Sequence, residues 1–95
     1  MTYEFRGMVI PGHMLDSLRG YIEHGCPVGH FLTAVLENDL AEACARADDD
    51  NMRVIPAYVA YLYNEAPGAR WGSPENVSAW LERFKALRTA MEGNA

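Results

Sequence analysis

The sequence predicts an all-α protein, a small bundle of four helices behind an extended N-terminal arm. Three observations carry this. Apolar residues recur at helical spacing from about residue 14 onward. Gly and Pro cut the chain cleanly, at Pro11-Gly12, Gly25-Cys26-Pro27, Pro67-Gly68 and Gly72-Ser73-Pro74. Only the first dozen residues alternate as a strand would. With 95 residues, 49% apolar and 22% charged, the composition is that of one globular domain. We assign 1–12 to the arm and 13–95 to a single helical domain.

In the arm, Tyr3 and Phe5 precede Met8-Val9-Ile10. An isolated hairpin is marginal, so this segment is expected to pack on the helices. The first helix is expected over 13–24. Met14, Leu15, Leu18, Tyr21 and Ile22 form its stripe, Gly25 stands just past its end, and Pro27 follows.

The second helix is expected to run unbroken over 28–47, with Leu32, Val35, Leu36, Leu40, Ala43, Cys44 and Ala47 in register. On a helical wheel Asp39 falls about 60° from Leu36 and about 40° from Ala43, inside the apolar stripe. A carboxylate there would need a partner, because unpaired burial costs several kcal/mol. Ala34, Ala41 and Ala45 line up at successive turns and would admit a close neighbour, or self-assembly.

Asp48 to Asn51 supply helix caps. The third helix follows to about Glu65, with Met52, Ile55, Val59, Leu62 and Ala66 in register and Val54, Tyr58, Tyr61 and Tyr63 filling other directions. It should be largely enclosed, and Pro56 should kink it or split off a first turn. At least one tyrosine must reach the surface. The fourth helix opens on Ser73-Pro74-Glu75, a cap, an N1 proline and a first-turn acid. It carries Val77, Trp80, Leu81, Phe84, Leu87 and Met91 on one face and ends near Gly93. Connections of roughly 3–8 residues imply sequential packing.

Charge supplies the functional signal. Residues 37–50 hold six acids (Glu37, Asp39, Glu42, Asp48, Asp49, Asp50) against Arg46 alone, so this stretch carries the chain's net charge of −5. Such an edge repels polyanions and attracts a basic protein surface. We therefore expect partner binding at Glu37, Glu42, Asp48, Asp49 and Asp50, joined by Tyr61 and the loop residue Trp71 as aromatic contacts. For Trp71 the favoured role is nonetheless to cover the start of the fourth helix, with an exposed Arg70-Trp71 anchor as the alternative.

Other chemistries fit less well. His24-x-Cys26-x3-His30 could hold a metal or ligand, with His13 or Cys44 completing the set, but the three straddle a helix end and lack zinc-site spacing. A Cys26–His30 nucleophile and base would need a cleft and a third orienting group. A calcium loop starting at Asp48, Asp49 or Asp50 would need Gly at its sixth position and Glu at its twelfth, and has neither. The first two helices outline a helix-turn-helix, yet Glu37, Asn38, Asp39 and Glu42 would face DNA with like charge. Six acids are few for mimicry of nucleic acid. No enzyme activity and no cofactor is expected. No stretch approaches the length of a membrane span, and the N-terminus lacks the apolar core of a signal peptide. Cytoplasmic residence and free Cys26 and Cys44 thiols are the expectation.

One resemblance adds context. The pattern Tyr21-Ile22-Glu23-x-Gly25-x-Pro27-x-Gly29-x-Phe31-Leu32-x-x-Val35-Leu36-x-Asn38-Asp39-Leu40 is followed by Arg46-Ala47-Asp48 and Asn51. Tyr63-Asn64-Glu65-Ala66-Pro67 and Trp71-Gly72-Ser73-Pro74-Glu75 come after. Over roughly residues 10–82 this resembles small proteins encoded by tailed bacteriophages and prophages. Pro56 and the long tail after Trp80 depart from that pattern. No assigned activity comes with the group, so no site residue carries over. The resemblance implies a phage accessory protein made in the bacterial cytoplasm. It would bind a host or phage protein, for example to inhibit a host nuclease complex.

Overall fold

A computed structural model describes residues 2–93, with side chains to Ala90. The chain is mostly helical, with one small hairpin at its start. Strands β1 (Glu4–Phe5) and β2 (Met8–Val9) pair antiparallel, Glu4 opposite Val9 and Phe5 opposite Met8. Arg6 and Gly7 turn the chain, both at positive φ (52° and 83°), the geometry that matches strand twist in a two-residue turn. The arm therefore does pair with itself, and it is not left alone. Ile10 is buried, and Tyr3 meets Tyr61 edge-on with centroids 5.1 Å apart.

Helix α1 (Gly12–His24) buries Leu15, Leu18, Tyr21 and Ile22, as its stripe requires. It stops at Gly25, whose φ of 61° lets its amide turn back to the Tyr21 carbonyl.

The expected unbroken second helix is two helices, α2 (His30–Leu36) and α3 (Leu40–Arg46). Asn38 takes φ 62°, a conformation Asn tolerates better than most residues. The Asp39 amide then reaches back to the Ala34 carbonyl at 2.9 Å and closes α2. Asp39 restarts the chain as the N-cap of α3, accepting from the Glu42 amide at 3.1 Å. Two expectations fall with the break. Asp39 is an exposed cap and no buried carboxylate, and Leu40 leaves the core. The alanine strip dissolves too, with Ala34 buried and Ala41 and Ala45 exposed.

Pro56 splits off a first turn, one of the two outcomes expected of it. α4 (Asp49–Met52) is capped by Asp48, which accepts from the Asn51 amide at 2.8 Å. Asn51 is buried, and its Oδ1 accepts from the buried Tyr58 hydroxyl. α5 (Ile55–Glu65) carries Pro56 in its first turn, where a missing amide costs nothing. It buries Ile55, Ala57, Tyr58, Tyr61 and Leu62. Met52 and Val59 of the expected stripe are exposed instead.

A 3-10 turn (Gly68–Arg70) leads to α6 (Pro74–Gly93), where the Asn76 amide donates to Ser73 Oγ at 3.1 Å as the cap predicts. Val77 and Trp80 are buried, and Leu81 and Phe84 pack against the core. Leu87 is exposed, and the Met91 side chain lies outside the described residues. Arg70 ties α6 to α1. Its guanidinium lies 4.0 Å from the Trp80 ring centroid and donates to the Ile22 carbonyl at 2.6 Å. Trp80 Nε1 donates to the Tyr21 carbonyl, and the Tyr21 hydroxyl donates to the Arg70 carbonyl, each at 2.7 Å.

Burial pushes the Tyr21 phenol up to about 12, with Glu37 adding to the rise and Arg70 opposing it. Burial, aided by Asp48, raises Tyr58 further. An acid whose folded pKa exceeds its unfolded value binds more protons folded than unfolded. Its contribution is whole below about pH 10 and is lost as pH climbs through the folded value, at about 1.4 kcal/mol per pH unit for each such group. Urea titrations at pH 8, 10 and 11.5 should show stability flat over the first interval and falling over the second.

Candidate functional site

The acidic stretch resolves into distinct local jobs. Asp39 and Asp48 are caps. Glu42 accepts from Arg46 Nε at 2.6 Å along α3, and Asp50 lies 3.7 Å from Arg53. Glu37 is half-buried at the end of α2, close enough to the Tyr21 hydroxyl to raise its pKa. Asp49 is exposed in the first turn of α4. Much of the cluster therefore does structural work in its own segment. Surface pairs of this kind are worth little and neutralise only locally. Counting Arg53, residues 37–53 still hold six acids against two bases, a net charge of −4.

Beside this stretch lies an apolar groove of about 550 Å³, lined by Phe5, Leu40, Ile55, Pro56, Val59, Ala60, Tyr63 and Asn64. It gathers three of the exposed large apolar side chains: Leu40 at 65%, Val59 at 46% and Tyr63 at 79% exposure. Each is there for a local reason. The break at Asn38 swings Leu40 outward, and α5 is apolar on more sides than its neighbours can cover. Within two residues of this lining along the chain stand the acids Glu4, Asp39, Glu42 and Glu65 and the cations Arg6 and Arg53.

Neither of the two aromatic candidates lines this groove. Tyr61 is 8% exposed and packs against Tyr3. Its phenol is pushed up, chiefly by burial. It lines a separate pocket of about 430 Å³ with Thr2, Leu15, Ile22, Arg19, Glu23 and Glu65. The tyrosine that reaches solvent is Tyr63. Trp71 is half-buried against the core, and its carbonyl accepts from Asn76 Nδ2 at 2.9 Å. That is the covering role at the start of α6.

His24, Cys26 and His30 are all exposed around the α1–α2 turn. Among the described residues no three of His, Cys, Asp and Glu gather into a metal-binding set. The Cys26 and Cys44 thiols are free. No helix of the described residues is long and apolar enough to cross a membrane.

Sequence reasoning missed Leu40, Val59 and Tyr63 as surface residues. The signal that could have found them was the Asn38-Asp39 pair, which ends one helix and caps the next, and an α5 with more apolar directions than available neighbours. Compared with family models, curated proteins and solved structures, the chain finds no match.

Proposed function

We propose that this chain is a non-enzymatic protein-docking module whose contact surface is the groove between α3, α5 and β1. Its occupant is a partner segment with apolar anchors and flanking cations. The observation that carries this is the convergence of Leu40, Val59 and Tyr63 on one shallow, open apolar surface that meets the acidic stretch at Leu40. An apolar centre with a charged rim is the anatomy of a protein interface. The acids serve as the rim, supplying steering and sign selectivity. We place the module in the bacterial cytoplasm as a phage accessory protein acting on a host or phage protein. That setting rests on the residue pattern alone.

The test uses a fluorescently labelled amphipathic peptide with Leu at helical spacing and Lys elsewhere, and a second peptide with Glu in place of Lys. The basic peptide should bind with a Kd of about 10–100 μM, and the acidic one at least about tenfold more weakly. Val59→Asp places a charge in the groove and should weaken the basic peptide by about 30-fold, the scale of a hot-spot loss. Glu42→Lys with Asp49→Lys should weaken it less, and the difference should shrink in 1 M salt, where screening acts over about 3 Å. Equal binding of both peptides, or indifference to Val59→Asp, would reject this reading.

A further inference from the structure

The molecule carries, at a different place, a segment with the chemistry the groove requires. Leu81, Phe84 and Leu87 follow one another at i, i+3 and i+6 along α6. The first two pack against the core, while Leu87 is 54% exposed. From Lys85 to Ala90 every residue is exposed. Among the described residues the stripe that seats the first half of α6 thus continues past its seat, with the Arg88 guanidinium over the Phe84 ring at 5.8 Å and Leu87 beyond it largely uncovered. That half is mildly basic: over 82–93, Glu82 and Glu92 stand against Arg83, Lys85 and Arg88, a net charge of +1. The charged residues next to the groove lining along the chain, Glu4, Asp39, Glu42 and Glu65 against Arg6 and Arg53, have the opposite sign, a net charge of −2.

We infer that the groove receives the distal half of α6 from a second copy of this chain. Leu87 would act as the apolar anchor, with Arg83 and Arg88 flanking it towards the acidic rim, about 40° and about 100° round the helix from it. This rests on the docking reading above and names one partner for it. Helix-in-groove binding normally uses several anchors at i, i+3 and i+4, whereas among the described residues this half of α6 offers one large exposed apolar side chain, Leu87, and so buries less than a stable standard interface. The pairing should therefore be weak, concentration-dependent and salt-sensitive. Two copies can each give a helix and take one, which closes the pair. One-way exchange would instead build a chain.

Sedimentation equilibrium of the full chain tests this. At low salt the average mass should rise from monomer towards dimer between about 10 and 500 μM, a Kd on the order of 100 μM. Leu87→Asp and Val59→Asp should each hold the protein monomeric, weakening association at least about tenfold. Both positions are substantially exposed, so the variants should fold, which circular dichroism checks. An equimolar mixture of the two variants restores one intact groove facing one intact α6 and should regain association that neither shows alone. A monomer throughout the concentration range overturns the inference, and so does a dimer indifferent to both substitutions. The docking reading is judged separately: a monomeric protein that binds the basic peptide keeps that reading and loses this one.

Discussion

Gly25→Ala is expected to destabilise the protein by about 3–4 kcal/mol. Two costs combine. At φ 61° a Cβ strains the backbone by about 1–2 kcal/mol. That Cβ would also stand 2.5 Å from Phe84 Cβ and 2.6 Å from its Cγ, and overpacking of this kind costs about 1–3 kcal/mol. Phe84 cannot simply rotate away, because Cβ is fixed by the backbone of α6. For a domain of this size the loss lowers Tm by very roughly 12–30 °C. The double variant Gly25→Ala with Phe84→Gly, read against Phe84→Gly alone, separates the terms, because only glycine at 84 removes the Cβ that the new methyl would meet at 2.5 Å. It should recover the steric part and keep the backbone part, so the two single effects should not add. Simple additivity in urea unfolding would show that α6 does not cross α1 at this point.

Trp80→Ala is expected to cost about 3–5 kcal/mol, the range for truncating a large buried aromatic. Trp80 carries more than its area. Its indole donates to the Tyr21 carbonyl, its face receives the Arg70 guanidinium, and its edge meets Phe84 at a centroid distance of 5.6 Å. These contacts gather at the C-terminal end of α1, where unpaired carbonyls leave partial negative charge. Trp80→Phe keeps much of the packing and removes the hydrogen bond. It should cost clearly less than the alanine variant, and a loss as large would move the weight from packing to the bond. Because this clasp holds the first half of α6, loosening it should also weaken association through the second half.

The sequence was legible where punctuation and periodicity agreed. Gly25 ended α1 and Ser73-Pro74 began α6 as expected, because neither signal competed with another. It misled between residues 36 and 40. There the apolar spacing runs through a break, since two short helices packed on one core each keep an apolar side facing it, Leu32, Val35 and Leu36 on one and Ala43 on the other. Asn38 and Asp39 bore the contrary signal, and the longer pattern outweighed it. The same misjudgement hid the groove. Leu40 and Val59 look like core residues in any periodic count, and only the turn at Asn38 and the limited cover over α5 expose them. The acidic half of the candidate site was plain from composition. The division of those acids into caps, local pairs and rim depends on backbone geometry that spacing alone does not define. Periodicity likewise leaves open which tyrosine of α5 reaches the surface: Tyr61 is covered by Tyr3 of the hairpin, and Tyr63 is 79% exposed.

Amide chemical-shift mapping tests the docking surface most directly. The Leu87→Asp protein, labelled with ¹⁵N, keeps the groove and lacks the competing anchor of a second copy. Titration with the basic amphipathic peptide should shift the amides of Leu40, Val59, Ala60 and Tyr63 and leave those around Trp80 still, with the shifts abolished when Val59→Asp is added. Perturbations centred on the Tyr3–Tyr61 pocket or on the His24–His30 turn, or none at peptide concentrations near 1 mM, where even weak complexes at about −4 kcal/mol are half-formed, would contradict it.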